Sequence, residues 1–393
     1  MITTKEKATV GESGKKPRIA IFILLFIVIL LTAFTAYLKS SDFNIHMDKN
    51  FVKNILGVLG KIHLEEDSMK LCEISFEAKE KPAFAVYKDM LIKCTIYGVT
   101  AMDKKGNEQW SITAKMNEPL LKTKGHNLLA ADIGGRQVLV MDARGLMWEK
   151  SFEGDIINAA ISQKGFVTVL HELEKYKGIV KVFSPEGQEI FRRAIIDTFV
   201  FSSEVLPSGE TVIIHSIDIS RIGATSYIEF TDLMGNPFAA LVPRENHVYP
   251  FVLALEDDSF AVVDDTSIVY FDRNRNEVWS KEYKRVYGAG IIDDENFIAA
   301  VSSSERTNTC KIEMINKAGD AVGNYQLGDD AYNMNTCQDT AAVNTGREVH
   351  FISSKGNLVA KYNSISDIEE VHFFNKNEAA IVARNSIDIV KIR

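Results

Sequence analysis

The sequence predicts an all-β fold, an eight-bladed β-propeller of four-stranded antiparallel blades, preceded by one N-terminal transmembrane helix. Three observations predict it. A phrase made of a β-like run, an acid-and-glycine turn and an aromatic recurs roughly every 40 residues, the period of a four-stranded blade. A strand-like segment at the C-terminus lacks its returning partner, and an equally solitary segment precedes the first phrase. A long uncharged apolar run lies close to the N-terminus.

The phrase reads Val99-Thr-Ala-Met-Asp103-Lys-Lys-Gly106-Asn-Glu-Gln-Trp110, then Val138-Leu-Val-Met-Asp142-Ala-Arg-Gly145-Leu-Met-Trp148, then Ile268-Val-Tyr-Phe-Asp272-Arg-Asn-Arg275-Asn-Glu-Val-Trp279. Weaker copies run to Gly187 with Phe191, to Gly235 with Phe238, to Gly319 and to Gly356. Asp, Asn or Ser at the start of each turn is suited to bonding the backbone two residues on, and Gly supplies the positive φ that closes a short hairpin. Arg275 holds the glycine position in one copy, which predicts local strain. Trp110, Trp148 and Trp279 are expected to pack between blades, because large aromatics dominate core burial.

Between the phrases lie short runs rich in β-branched and aromatic residues, bounded by Gly, Asp or Asn; they read as strands. Residues 386–392 resemble one more third strand of the phrase, and residues 71–76 an outer strand without a partner. Pairing the two closes a ring of eight and removes exposed strand edges. A seven-bladed ring is the alternative if either end segment pairs elsewhere.

Residues 19–38 are uncharged and long enough to cross a hydrocarbon layer of about 30 Å as a helix. Lys15, Lys16 and Arg18 flank one end, so the positive-inside rule places residues 1–18 in the cytoplasm and the rest outside. Residues 39–69 read as a juxtamembrane connector and 70–393 as the propeller. The run exceeds the apolar region of a cleaved signal peptide, and no clean A-x-A site follows. The formal charge is −8; the first eighteen residues are +3 and the remainder −11, a body that repels phosphate backbones and argues against nucleic-acid binding. Cys72, Cys94, Cys310 and Cys337 show no zinc spacing. Single buried thiols are one reading, and Cys72–Cys94 or Cys310–Cys337 disulfides the other.

The D-x-x-G-x-x-x-W phrases at Asp103/Gly106/Trp110 and, one residue shorter, at Asp142/Gly145/Trp148 resemble those of the PQQ-like-repeat β-propeller superfamily. That superfamily includes quinoprotein dehydrogenases and a non-enzymatic lipoprotein of outer-membrane assembly. With its single anchor and acidic propeller, the chain is most similar to an uncharacterised family of membrane-anchored propellers from Gram-positive, clostridial bacteria. Quinoprotein dehydrogenases commonly carry adjacent cysteines near the quinone, and this sequence has none.

No catalytic, cofactor-binding or metal residue is assigned, and no cofactor is expected. The pairs Asp257-Asp258, Asp264-Asp265, Asp293-Asp294 and Asp329-Asp330 invite comparison with calcium sites. In the four-strand reading they divide between the two faces, so they are read as solvated turns. The eight histidines lack H-x-H and H-E-x-x-H spacing; His215 and His350 lie in strand-like runs. The expected function is a non-catalytic protein-binding scaffold in the cell envelope, held to the bilayer by residues 19–38. The connections 216–226 and 302–309 are its candidate contact loops. The alternative is a small-ligand sensor or quinone-dependent enzyme using the central channel.

Overall fold

A computed structural model of the chain describes residues 69–220, 223–302 and 310–393. The predicted tail 1–18, membrane span 19–38 and most of the connector lie outside these residues. Among the described residues no helix is long and apolar enough to cross a membrane.

Among the described residues, thirty-two strands form eight four-stranded antiparallel sheets. Blade 1 shows the pattern: Ala83–Tyr87, Met90–Thr95, Gly98–Met102 and Glu108–Thr113 pair in sequence order. Blades 2 to 7 repeat it over residues 119–151, 156–195, 199–241, 251–282, 285–326 and 333–363. First strands of neighbouring blades adjoin around the axis, so the first strand of each blade is innermost and the fourth outermost.

Blade 8 joins the two ends of the propeller sequence. Ile368–Asn375, Glu378–Ala383 and Ser386–Lys391 supply three strands, and Lys70–Ser75 supplies the outermost. Ser75 pairs with Ser386, Ile74 with Ile387 and Cys72 with Ile389. The expected closure is therefore the observed one, and the seven-bladed alternative falls away.

The turn between third and fourth strands behaves as its sequence predicts. Asp103 Oδ1 accepts from the Lys105 and Asn107 amides at 2.8 and 2.9 Å, and Asp272 Oδ1 accepts from Asn274 and Asn276 at 2.8 Å each. Asn316 and Ser353 occupy the same place in their blades and accept likewise. Gly106, Gly187, Gly235 and Gly319 all have positive φ. Arg275 adopts φ +70 in the glycine position, a backbone that costs an L-residue of the order of 1 kcal/mol. Its guanidinium lies 5.6 and 5.4 Å from the ring centres of Phe230 and Phe238 in blade 4, contacts that offset part of the strain.

The aromatic of each strong phrase packs on the next blade. Trp110 Nε1 donates to Ala143 O at 3.1 Å, and Trp148 Nε1 to Pro185 O at 2.9 Å. Trp279 covers Gly319 so closely that a Cβ there would meet its ring at 3.0 Å. In blade 6 Gly323 stands where the aromatic would, and the backbone of Lys355 and Gly356 closes into the space.

Strand alternation makes the core. In blade 2, Leu128 and Ala130 face blade 1 while Leu129 and Ala131 face blade 3. Both faces of each sheet are covered, so the second and third strands read as continuous apolar runs. The buried residues fall into eight clusters, one between each pair of adjacent blades. Ala380, Val382, Ile387 and Ile389 meet Phe84, Leu91 and Met102 of blade 1 and complete the ring.

Candidate functional site

The strand order gives the ring two unlike faces. First-to-second and third-to-fourth hairpins open on one face, here the hairpin face. Second-to-third hairpins and the connections between blades open on the other, here the connection face.

Polar side chains interrupt the innermost strands of blades 2 to 4. Lys122 Nζ donates to Asn158 Oδ1 at 3.3 Å, and Asn158 Nδ2 donates to Phe201 O at 2.9 Å. Thr168 Oγ1 donates to Ser203 O. Glu204, next to the end of its strand, is half-buried. Burial raises its carboxyl above the usual range, opposed by Lys124 and Lys122. Burial also lowers the Lys122 ammonium, opposed by Glu204. Blades 7 and 8 are stitched on the same inner ring by Asn335 Nδ2 donating to Val371 O at 2.9 Å. Gly288-Ala289-Gly290 gives the first strand of blade 6 little bulk, and a Cβ on Gly288 would meet nothing within 4 Å.

The hairpin-face mouth of this channel holds a cavity of about 520 Å³. Lys124, Gln163, Glu256, Asp294 and Gln338 contribute to its wall, and they come from blades 2, 3, 5, 6 and 7. Only the axis brings those blades together.

The connection face differs in character. Of seventeen exposed large apolar side chains among the described residues, nine lie here: Tyr97, Tyr176, Ile196, Phe199, Ile219, Val242, Phe251, Tyr332 and Ile365. Six more lie within outermost strands, and Met234 and Leu358, the first residue of its outermost strand, lie at the hairpin face. Six of the nine belong to blades 3, 4 and 5 and their connections. A cleft of about 230 Å³ opens there between blades 3 and 4, lined in part by Ile195, Ile196, Ile214 and Tyr227. An Arg193–Glu229 ion pair lies in its wall. Lys177 Nζ stands 4.5 Å from the Phe199 ring centre.

Of the expected contact loops, segment 216–226 connects the second and third strands of blade 4 on this same face, with 221–222 outside the described residues; 303–309 also lie outside them.

The paired acids divide as expected. Asp257-Asp258 and Asp293-Asp294 sit in first-to-second hairpins, Asp264-Asp265 and Asp329-Asp330 on the connection face. Among the described residues no group of three metal-ligating side chains forms. Several of the acids tie loops together. Asp258 Oδ1 accepts from the Ser208 amide of blade 4 at 2.9 Å, and Asp330 Oδ1 accepts from the Tyr287 hydroxyl at 2.6 Å. Asp264 is buried. It accepts from the Thr266 amide at 2.8 Å and lies 3.1 Å from His247 Nδ1. Burial would raise its pKa, but the hydrogen bonds from His247, Thr266 and Ser267 together hold it below the usual value. The pairing fastens the connection into blade 5 to a hairpin, and Asp132 fastens the connection into blade 2 by accepting from the Glu118 amide at 3.2 Å.

His215 is a buried strand residue as expected. Its ring lies 4.2 Å from that of Phe201, and its Nε2 lies 3.2 Å from Ser226 Oγ. His350 is also buried in a strand. All four cysteines are free thiols. Cys94 and Cys310 are buried, which pushes them up to about 12 and about 11, whereas Cys72 and Cys337 are half-buried.

The sequence reading passed over Lys122, Asn158 and Glu204. The available signal was a charged or amide side chain inside the first strand of three successive repeats.

Fold and surface define the chain as a closed eight-bladed β-propeller with a polar axial channel and one apolar-studded face. The chain belongs to the family of unknown function DUF5711, whose model matches residues 69–392. No curated protein matches the sequence significantly. Among solved structures it is similar to BamB from Moraxella catarrhalis, with TM-score 0.54, 15% identity, and coverage of 82% of this chain and 97% of that one. It is also similar to the C-terminal WD40 domain of Sif2, with TM-score 0.61, 9% identity, and coverage of 83% and 96%. At such identities the likeness speaks for the fold alone. It shows that the chain shares the β-propeller fold with both.

Proposed function

We propose that the protein is a non-catalytic, protein-binding propeller of the cell envelope, anchored by residues 19–38 with its N-terminus in the cytoplasm and the propeller outside. The observation that carries the binding role is the sidedness of the exposed apolar residues: among the described residues, nine on the connection face and two on the hairpin face. Clustered exposed apolar side chains on a rigid scaffold mark interaction sites. The likeness to BamB and to a WD40 domain is compatible with this role.

The uncharged span and its basic flank support the anchoring and its direction.

The test is affinity purification of the full-length protein from membranes, with three versions compared: wild type, Ile196→Asp/Phe199→Asp, and Met234→Asp. A partner retained by wild type and Met234→Asp but lost from the double variant is expected. Equal recovery by all three versions, each with an unchanged melting temperature, would refute the assignment of the face.

A further inference from the structure

The charged groups at the channel mouth are sorted by wall. Blade 2 carries Lys122 and Lys124. Blade 6 lies four blades away in a ring of eight, directly across the axis, and carries Asp294; neighbouring blade 5 carries Glu256. Glu204, in blade 4, stands apart from these acids, on the side of Lys124 and Lys122. Opposite charges would normally be expected to pair, yet among the described residues none of these five side chains makes an ion pair within 4.0 Å. Lys122 is held instead by Asn158, at 3.3 Å.

The hairpins that present the charges are fixed. The Asp293 amide donates to Gln338 O at 2.8 Å, locking the blade 6 hairpin to that of blade 7. Asp293 and Asp294 both adopt positive φ, +59 and +57. On the opposite side, Asn127 Nδ2 donates to Gln163 O at 2.9 Å and ties the blade 2 hairpin to blade 3. The two walls are thus held apart across a space of about 520 Å³, with the amide side chains of Gln163 and Gln338 between them.

From this arrangement we infer that the hairpin-face mouth of the channel is a binding site for a zwitterion, a free amino acid or short peptide. Its carboxylate lies toward Lys124 and Lys122, and its ammonium toward Glu256 and Asp294. A ligand carrying both charges complements both walls at once, whereas a simple anion or cation meets one wall and leaves the other unpaired. The volume lies in the range of small-molecule pockets. The glutamines and Asn158 offer donors and acceptors for a peptide group. This site is on the face opposite the proposed protein-binding surface, and neither reading depends on the other.

The experiment is calorimetric titration of the purified full-length protein in detergent with the twenty common free amino acids and with trialanine, N-acetyl-trialanine and trialanine amide. Any zwitterion that binds is then titrated into Lys124→Gln, Glu256→Gln and Met234→Ala. All three positions are exposed, and melting curves confirm that each variant is folded. Saturable binding by at least one zwitterion is expected. Blocking either terminus, or making either charge-removing substitution, should weaken it about tenfold or more, equivalent to about 1.4 kcal/mol. Met234→Ala should bind as wild type does. Absence of heat with every zwitterion would overturn the inference. So would equal binding of the blocked peptides, or undiminished binding in both charge-removing variants.

Discussion

Contact between blades is set by single turns, and Gly187 gives the sharpest test. Its φ is +82, and a Cβ placed there would lie 2.9 Å from Cγ and Cδ2 of the Trp148 indole in the preceding blade. Gly187→Ala therefore carries two costs. A left-handed alanine costs about 1–2 kcal/mol. Displacing a ring whose Nε1 is held by Pro185 O at 2.9 Å adds about 1–3 kcal/mol of overpacking. Gly134, with φ +70 and nothing within 4 Å of its Cβ position, carries the first cost alone. Trp148→Ala loses a half-buried indole and its hydrogen bond, about 2–4 kcal/mol. In the double variant Trp148→Ala/Gly187→Ala the clash has no partner, so its cost should fall short of the sum by about 1–3 kcal/mol. Urea unfolding followed by far-ultraviolet circular dichroism measures all four. Equal losses for Gly187→Ala and Gly134→Ala, together with additivity in the double variant, would refute the packing argument.

His215 predicts an acid dependence. Burial holds its folded-state pKa at about 3, below the ordinary value of 6.5. Below pH 6.5 the unfolded chain takes a proton that the folded chain refuses. Its contribution is present at neutral pH and is lost by up to about 1.4 kcal/mol per unit as pH falls toward 3. His215→Gln should flatten the fall in urea-unfolding stability between pH 7 and pH 5, and an unchanged slope would contradict this. The thiols predict a second pattern: at pH 8, Cys94 and Cys310 should resist iodoacetamide in the folded protein and react once it is unfolded. Mass-spectrometric detection of either as a fast-labelling site in the folded protein would count against the described burial.

The architecture was readable because its signals are local. Asp103, Gly106 and Trp110 specify a turn and its packing within eight residues, and the unmatched segments near Leu71 and Ile387 specify closure by lacking neighbours. Arg275 was readable as a departure, but its compensation was not, since Phe230 and Phe238 lie in another blade. The channel chemistry was hidden for the same reason. Lys122 and Asp294 are 172 positions apart and stand on opposite sides of the axis because three blades intervene around the ring. The apolar face was half visible: segment 216–226 stood out by length, whereas Ile196, Phe199 and Phe251 looked like ordinary residues until the blades gave them a common side.

Blade 8 also sets a timetable for biosynthesis. Its outermost strand, Lys70–Ser75, leaves the ribosome first, and its pairing partner Ser386–Lys391 comes last, more than 300 residues later. At translation rates of about 5–20 residues per second, the early strand waits roughly 15–60 s with its edge unpaired. A message cut short anywhere before the final strand yields a ring that lacks its closing pair and leaves the outermost strand of blade 8 as an unpaired edge.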